Sequence, residues 1–345
     1  MKPVTTLLSI TRALLARTLL TGALSVGGCL LLGSCSQGED ALPGGAPGNN
    51  AQLPISVEAS LADVAVTRTA GYTPVPSGGA IGVFRTAPVT ADSPAQRDVK
   101  YTFDGTKWSP ESEAKQIVVG GQDATLCAYY PQGKVSFTAG TTQTALTVKD
   151  YTAADDLCYA HKPVQAQVNN ANRAVSFLME HAYARLQFSI TRSSTAGYPN
   201  ACKITSIKME PITANSEFYT ARTIDVGLPA SNGAQLTGSK AANWTLNTAA
   251  LAMGATGISA GATDTSIDKL FPPQAFSTNV GIKLTLTIDG KDQTVTLPYA
   301  KLTGLKAGVI SRIALEIQGT ELVVESVQIK QWNNVSSGTH DSTLD

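Results

Sequence analysis

The chain has 345 residues, with 26 basic and 26 acidic side chains, 43% apolar and 15% charged residues. That is enough apolar material for a real core and no excess charge, which excludes a chain disordered throughout and a scaffold built to hold nucleic-acid phosphates. Three histidines and five cysteines, without a CxxC, HExxH or GxxxxGK[ST] pattern, leave little material for metal, redox or P-loop chemistry, so neither a metal nor a cofactor is expected.

In chain order, the first element is an address. Lys2, Arg12 and Arg17 precede an uncharged run from Thr18 to Leu32 that holds six leucines in fifteen residues, with small Gly33 and Ser34 behind it. This is the plan of a secretory signal peptide over residues 1–34. The run is shorter than the roughly 18 apolar residues of a spanning helix. Leu32-Gly33-Ser34-Cys35 resembles the bacterial lipobox, in which the cysteine is acylated and becomes the new N-terminus, so Cys35 is the expected lipid attachment and the outer membrane the expected anchor. Val26-Gly27-Gly28-Cys29 is a poorer match, because apolar Leu30 to Leu32 would then open the mature chain. An ordinary secretory signal with an incidental cysteine would change the anchor but not the compartment. Cleavage after Ser34 leaves 23 basic and 26 acidic groups, a net charge of about −3. Residues 35–52, rich in Gly, Pro and Asn, read as a flexible tether.

From Leu53 the pattern changes to short alternating runs divided by turn signals, which predicts an all-β protein. About 300 residues are too many for one plain sandwich, so two domains are expected, 53–170 and 171–345, with polar Gln165 to Arg173 as the boundary. The first run, Leu53 to Thr67, carries Ile55, Val57, Val64 and Val66. Asp104-Gly105 predicts a hairpin between Tyr101 or Phe103 and Trp108. His181 to Arg192 alternates Ala184, Leu186, Phe188 and Ile190 with polar residues, a strand with one core face and one wet face. Ala241 to Met253 is the best helical window, weakened by Asn243, Thr245 and Asn247, and Thr248 to Thr265 reads as a long loop. Ile282, Leu284, Leu286 and Ile288 alternate up to Asp289-Gly290, then Val295 and Leu297 follow, a second hairpin. The last run, Glu321 to Trp332, presents Leu322, Val324, Val327 and Ile329, and the slip between Val324 and Val327 requires a bulge. The tail beyond Trp332 has too few apolar residues for a strand.

Few residues suggest chemistry. Cys127, Cys158 and Cys202 are an odd set in apolar settings and read as small buried hydrophobes. Asp155-Asp156, near Asp150, reads as a solvated turn rather than a calcium loop. His161 and His181 have no third ligand in sequence, and His181 reads as a structural histidine. Trp108, Tyr129, Tyr130, Trp244 and Trp332 are the aromatic rings that could stack on sugars, with packing as the default.

Ile81-Gly82-Val83-Phe84, Tyr101 to Pro110 (YTFDGTKWSP), Leu126 to Gln132 (LCAYYPQ), Phe177 to Ile190 (FLMEHAYARLQFSI), Leu270 to Gln274 (LFPPQ) and Val323 to Trp332 (VVESVQIKQW) together resemble the successive blocks of the fimbrillin family, from about Ile55 to Trp332. The resemblance implies two transthyretin-like, Greek-key β-sandwiches in a surface lipoprotein that serves as pilus subunit, tip adhesin or anchor, without catalysis or cofactor. It also implies an assembly route: an N-terminal strand fills a sheet edge, an Arg/Lys-specific protease removes it, and a neighbour's C-terminal strand replaces it. Ile55, Val57, Val64 and Val66 would mark the removable strand. Arg68 is the first basic residue after Arg17 and hence the expected cleavage point; otherwise it is a solvated strand end. Leu322, Val324, Val327 and Ile329 would mark the donor strand, if that run is not simply a core strand of the second domain. Expected partners are other pilus subunits, the outer membrane through Cys35, and a host or bacterial surface receptor. The competing reading is a non-polymerising outer-membrane lipoprotein that binds glycans on aromatic rings lining one cleft.

Overall fold

The computed structural model describes residues 51–63, 71–90, 94–133, 136–137, 144–148, 156–212, 217–229, 235–247, 256–276 and 281–332, all within the compact unit Ala46–Asp345. Apart from two short 3-10 turns, Glu113–Lys115 and Tyr299–Lys301, the regular structure among them is β, as the alternating pattern predicts. No helix among the described residues is long and apolar enough to cross a membrane.

The first twelve strands are β1 (Leu53–Pro54), β2 (Ser56–Asp63), β3 (Gly71–Pro74), β4 (Ala80–Ala87), β5 (Gln96–Phe103), β6 (Trp108–Pro110), β7 (Val118–Val119), β8 (Thr125–Tyr130), β9 (Ser136–Phe137), β10 (Ala145–Val148), β11 (Cys158–Ala160) and β12 (Ala174–His181). Eight of them form one curled sheet in the order β3-β2-β12-β11-β8-β4-β5-β6. The corner is β12, which pairs with β2 from Ala174 to Met179 and with β11 at Glu180 and His181. Because β12 alternates, Val175, Phe177 and Met179 all point inward and meet Ile81, Val83, Leu126 and Ala128 from the opposite wall in a first core. The β5–β6 turn closes at Asp104-Gly105, where Gly105 has φ +104° and the Asp104 carboxylate accepts the Thr106 and Lys107 amides at 2.8 Å.

The second half contains β13 (Ala184–Arg192), β14 (Ile204–Pro211), β15 (Phe218–Asp225), β16 (Gln235–Ala241), β17 (Trp244–Asn247), β18 (Thr263–Phe271), β19 (Gln274–Ala275), β20 (Ile282–Ile288), β21 (Lys291–Leu297), β22 (Gly304–Leu305), β23 (Val309–Gln318) and β24 (Glu321–Gln331). Two four-stranded sheets, β18-β13-β23-β24 and β17-β14-β20-β21, face each other over a second core built on Leu186, Phe188, Ile190, Leu284, Leu286, Ile313 and Leu315. The β20–β21 hairpin turns at Asp289 (φ +47°) and Gly290 (φ +78°), two successive left-handed residues that match the twist of the paired strands. A further sheet, β16-β15-β10-β9, takes strands from both halves of the sequence.

Two expectations change. Over residues 241–247 the candidate helix is instead the end of β16 and the whole of β17, with Trp244 packed on the second core; burial outweighs a weak helical propensity. Residues 248–253 lie outside the described ones. The polar run Gln165–Arg173 is a loop of the first sandwich, pinned by an Asn169–Asn172 bridge and by Val168 in the first core. Strand β12, which a division at 170 assigns to the second domain, contributes Val175, Phe177 and Met179 to the first core and nothing to the second, so the chain changes cores at Ala182 and Tyr183.

Candidate functional site

The N-terminal strand has an unusual setting. β2 runs parallel to β12, with Ser56 opposite Ala174 and Leu61 opposite Met179, and antiparallel to β3 from Ser60 to Asp63. The resemblance placed this strand at a sheet edge; it lies inside the sheet, because β3 folds back along its second half. Ile55 and Val57 of the expected removable set are buried in the first core, joined by Leu61. Val64, Val66, Arg68 and the lipid candidate Cys35 lie outside the described residues. In sequence Arg68 falls between the paired ends Asp63 and Gly71, in the seven-residue connection of a hairpin.

What holds this segment is mostly backbone and apolar packing. The Ile55 amide donates to the Ile117 carbonyl at 3.1 Å and the Ser56 amide to the Arg173 carbonyl at 2.9 Å. Leu53 pairs with Val119, the Asn170 side-chain amide reaches the Ala51 carbonyl at 3.1 Å, and the Arg173 guanidinium reaches the Pro54 carbonyl at 3.0 Å. Beside Val57, Ala59 and Leu61, in register on the neighbouring strand, stand Val175, Phe177 and Met179, each at most 1% exposed. A seat made of main-chain ladder plus small apolar pockets accepts any strand whose alternate side chains fit.

The expected donor strand sits elsewhere. β24 pairs antiparallel with β23 through ten residue pairs, with the required bulge at Glu325, between Val324 and Ser326. Leu322 is buried, Val324 and Val327 pack on the second core, and Ile329 is 57% exposed. Trp332 follows at 3% exposure, in a third apolar cluster that joins the sandwiches: Phe84, Tyr129, Leu157 and Tyr159 from the first sheet, Tyr183, Ile224, Leu270 and Trp332 from beyond it.

At this joint lies the only group of three or more His, Cys or acidic side chains among the described residues close enough to share an ion: Asp156, Cys158 and His181. Asp156, expected in a solvated turn, is mostly buried, its Oδ2 2.6 Å from His181 Nδ1, because it stands two residues before Cys158, the register partner of His181. The His181 ring stacks on Trp332 at 4.1 Å, 6° from parallel, and Arg185 lies 5.2 Å from the indole centroid while bonded to Asp268. His181 is therefore structural in its setting but does not open a strand; it ends β12. His161 lies apart, lining a cavity of about 250 Å³ with Thr86, Cys127 and Asp225, where burial holds the Cys127 thiol protonated well above its ordinary range. Cys127, Cys158 and Cys202 are free and buried, as their apolar neighbours predict. Of the candidate sugar-stacking rings, Tyr129 and Trp332 are buried, while Trp108, Tyr130 and Trp244 pack half-buried against the cores.

Comparison with known proteins gives the same outline. No curated protein matches the chain. Among solved structures, a protein from Bacteroides ovatus assigned to cell adhesion superposes with a TM-score of 0.55 at 16% identity, over 83% of this chain and 100% of its own. One from Bacteroides uniformis with the same assignment gives 0.54 at 20% identity, over 81% and 99%. These likenesses concern the fold. The fimbrillin-like family model matches residues 67–332, from just before Arg68 to the tryptophan that follows β24, and the chain belongs to that family.

Proposed function

We propose that the protein is a cell-surface fimbrial subunit, lipid-anchored at Cys35, which loses its N-terminal segment by cleavage after Arg68 and then receives a neighbour's strand in the vacated seat. The observation that carries this reading is the position of β2: a strand buried on the first core, parallel to β12, and joined to the rest of the fold through the connection that contains the first basic residue of the mature chain. Uncovering Ile55, Val57 and Leu61 would by itself cost about 5 to 9 kcal/mol at the usual worth of a buried aliphatic side chain. That is comparable with the whole stability of a domain. An emptied seat would therefore bind a replacement strand strongly, and the same apolar rows would set which strand fits.

This role involves no catalysis. Family membership and the adhesion assignment of the two structural relatives support a surface role, and those relatives lend nothing finer because their identity is low. The chain is read first as an acceptor: to act as donor, β24 would have to leave ten pairs with β23 and withdraw Trp332 from the joint. The glycan-binding alternative gains no support, since no large aromatic is among the exposed apolar residues described.

The test is digestion of the soluble Ser36–Asp345 protein with an Arg-specific protease, followed by N-terminal sequencing and electron microscopy. A stable core that starts at Thr69 and associates is the expected outcome. A chain that resists cleavage at Arg68, or whose cut form keeps its first strand and stays solitary, contradicts the reading.

A further inference from the structure

We propose that Asp156, Cys158 and His181 form a zinc site at the joint between the two sandwiches. The geometry follows from the strands. Cys158 and His181 are register partners across the antiparallel β11–β12 pair, so their side chains leave the same face, and Asp156 precedes Cys158 by two, which returns it to that face.

The separations suit a tetrahedral ion. Zinc binds sulfur at about 2.3 Å and nitrogen or oxygen at about 2.0 to 2.2 Å, which sets neighbouring ligands about 3.4 to 3.6 Å apart. Here Cys158 Sγ lies 3.4 Å from His181 Nδ1 and 3.9 Å from Asp156 Oδ2. The third separation, Nδ1 to Oδ2, is 2.6 Å, a hydrogen bond that would open by under 1 Å as the ion replaces its proton. The second carboxylate oxygen, Asp156 Oδ1, is buried without a hydrogen-bond partner and can complete the coordination. The donor set of thiolate, imidazole and carboxylate belongs to zinc rather than to calcium or magnesium, which take oxygen alone.

Burial makes the site costly without an ion. Asp156 Oδ1 and His181 Nε2 are both buried there without a hydrogen-bond partner. Zinc entry breaks the S–H bond, forms the Zn–S bond and releases that proton to solvent, while the proton shared by Asp156 and His181 passes to His181 Nε2, leaving Nδ1 and the carboxylate free to bind the ion. The nearby Arg185 does not oppose this strongly, since Asp268 neutralises it. An ion there would also fix the His181 ring against Trp332, and with it the end of β24.

The experiment uses the full Ser36–Asp345 chain. After loading with zinc and exhaustive dialysis, elemental analysis should find one equivalent per chain. Cobalt should replace it with a thiolate charge-transfer band that survives Cys127→Ser and Cys202→Ser but vanishes in Cys158→Ser. Since the ligands must give up protons to the solvent, affinity should rise as the pH is raised through the acid range. Asp156→Asn, which keeps the shape and the hydrogen bond, should weaken binding at least tenfold and covers the case in which Cys158→Ser fails to fold. Retention of less than a tenth of an equivalent by the wild-type chain, or a cobalt spectrum unchanged in Cys158→Ser, overturns the site.

Discussion

The two sandwiches solve the same problem with opposite connections. Each contains one parallel pair, β2 with β12 in the first and β13 with β23 in the second. In the second, both members continue into well-packed neighbours, and the terminal strand β24 is tied to β23 by a tight turn at Gly319. In the first, the parallel partner is the N-terminal strand itself, reached through a short connection on one side and β1 on the other. The lesson is that a strand can be central in packing and still peripheral in connectivity. Both are hairpin arms, but β2 can be freed by one cut in the seven-residue connection that follows it, whereas β24 is held by a tight turn at Gly319.

The largest expected effect tests this contrast directly. A chain that begins at Thr69 and is offered no strand should lose about 5 to 9 kcal/mol from the first sandwich, seen in thermal unfolding as an early transition that exposes Tyr101 and Trp108; unchanged stability would mean that β2 is ornamental. Next come matched core truncations. Phe177→Ala and Phe188→Ala should each cost about 3 to 5 kcal/mol, but only Phe177→Ala should speed proteolysis at Arg68, because only Phe177 packs alongside β2, opposite Ala59. Equal effects on cleavage would break the comparison.

Smaller changes probe the turns. Gly290→Ala should cost about 1 kcal/mol by denaturant titration, because the site has open space for a methyl group but a φ of +78° that favours glycine. At the other hairpin, hydrogen bonds from Lys107 and Thr106 hold the Asp104 carboxyl down at about 2. A depressed acid contributes its stabilisation above its unfolded pKa of about 3.9 and loses it as the folded group is protonated. The β5–β6 turn should therefore loosen between about pH 4 and pH 2, followed by the Thr106 amide resonance, and Asp104→Ala should remove that dependence.

Much of this fold was legible in local pattern. The alternation at Ala184 to Ile190 and at Ile282 to Ile288, and the Asp-Gly turns, report geometry within a few residues of themselves. Pairing partners were not legible, because a period of two says which face is buried and nothing about which strand lies alongside. Hence β2 was readable as an apolar strand but not as the parallel neighbour of β12, 118 residues away in sequence at Ser56 and Ala174. The joint was hidden for the same reason. Cys158 and His181 meet only through the β11–β12 register, and the small residues Ala182 and Ala184 make the passage between cores look like one continuous strand. The tryptophan that closes the joint stands at the far end of the chain.

The most direct measurement is exchange into the seat itself. An isotope-labelled peptide covering residues 51–68 would be mixed with intact and with Arg68-cleaved protein and followed by native mass spectrometry. The account predicts uptake of one peptide per cleaved chain, with its unlabelled counterpart released, and none by the intact chain. Cleaved protein that ignores the peptide, or intact protein that takes it up equally, would contradict the claim that β2 occupies a seat that can be emptied and refilled.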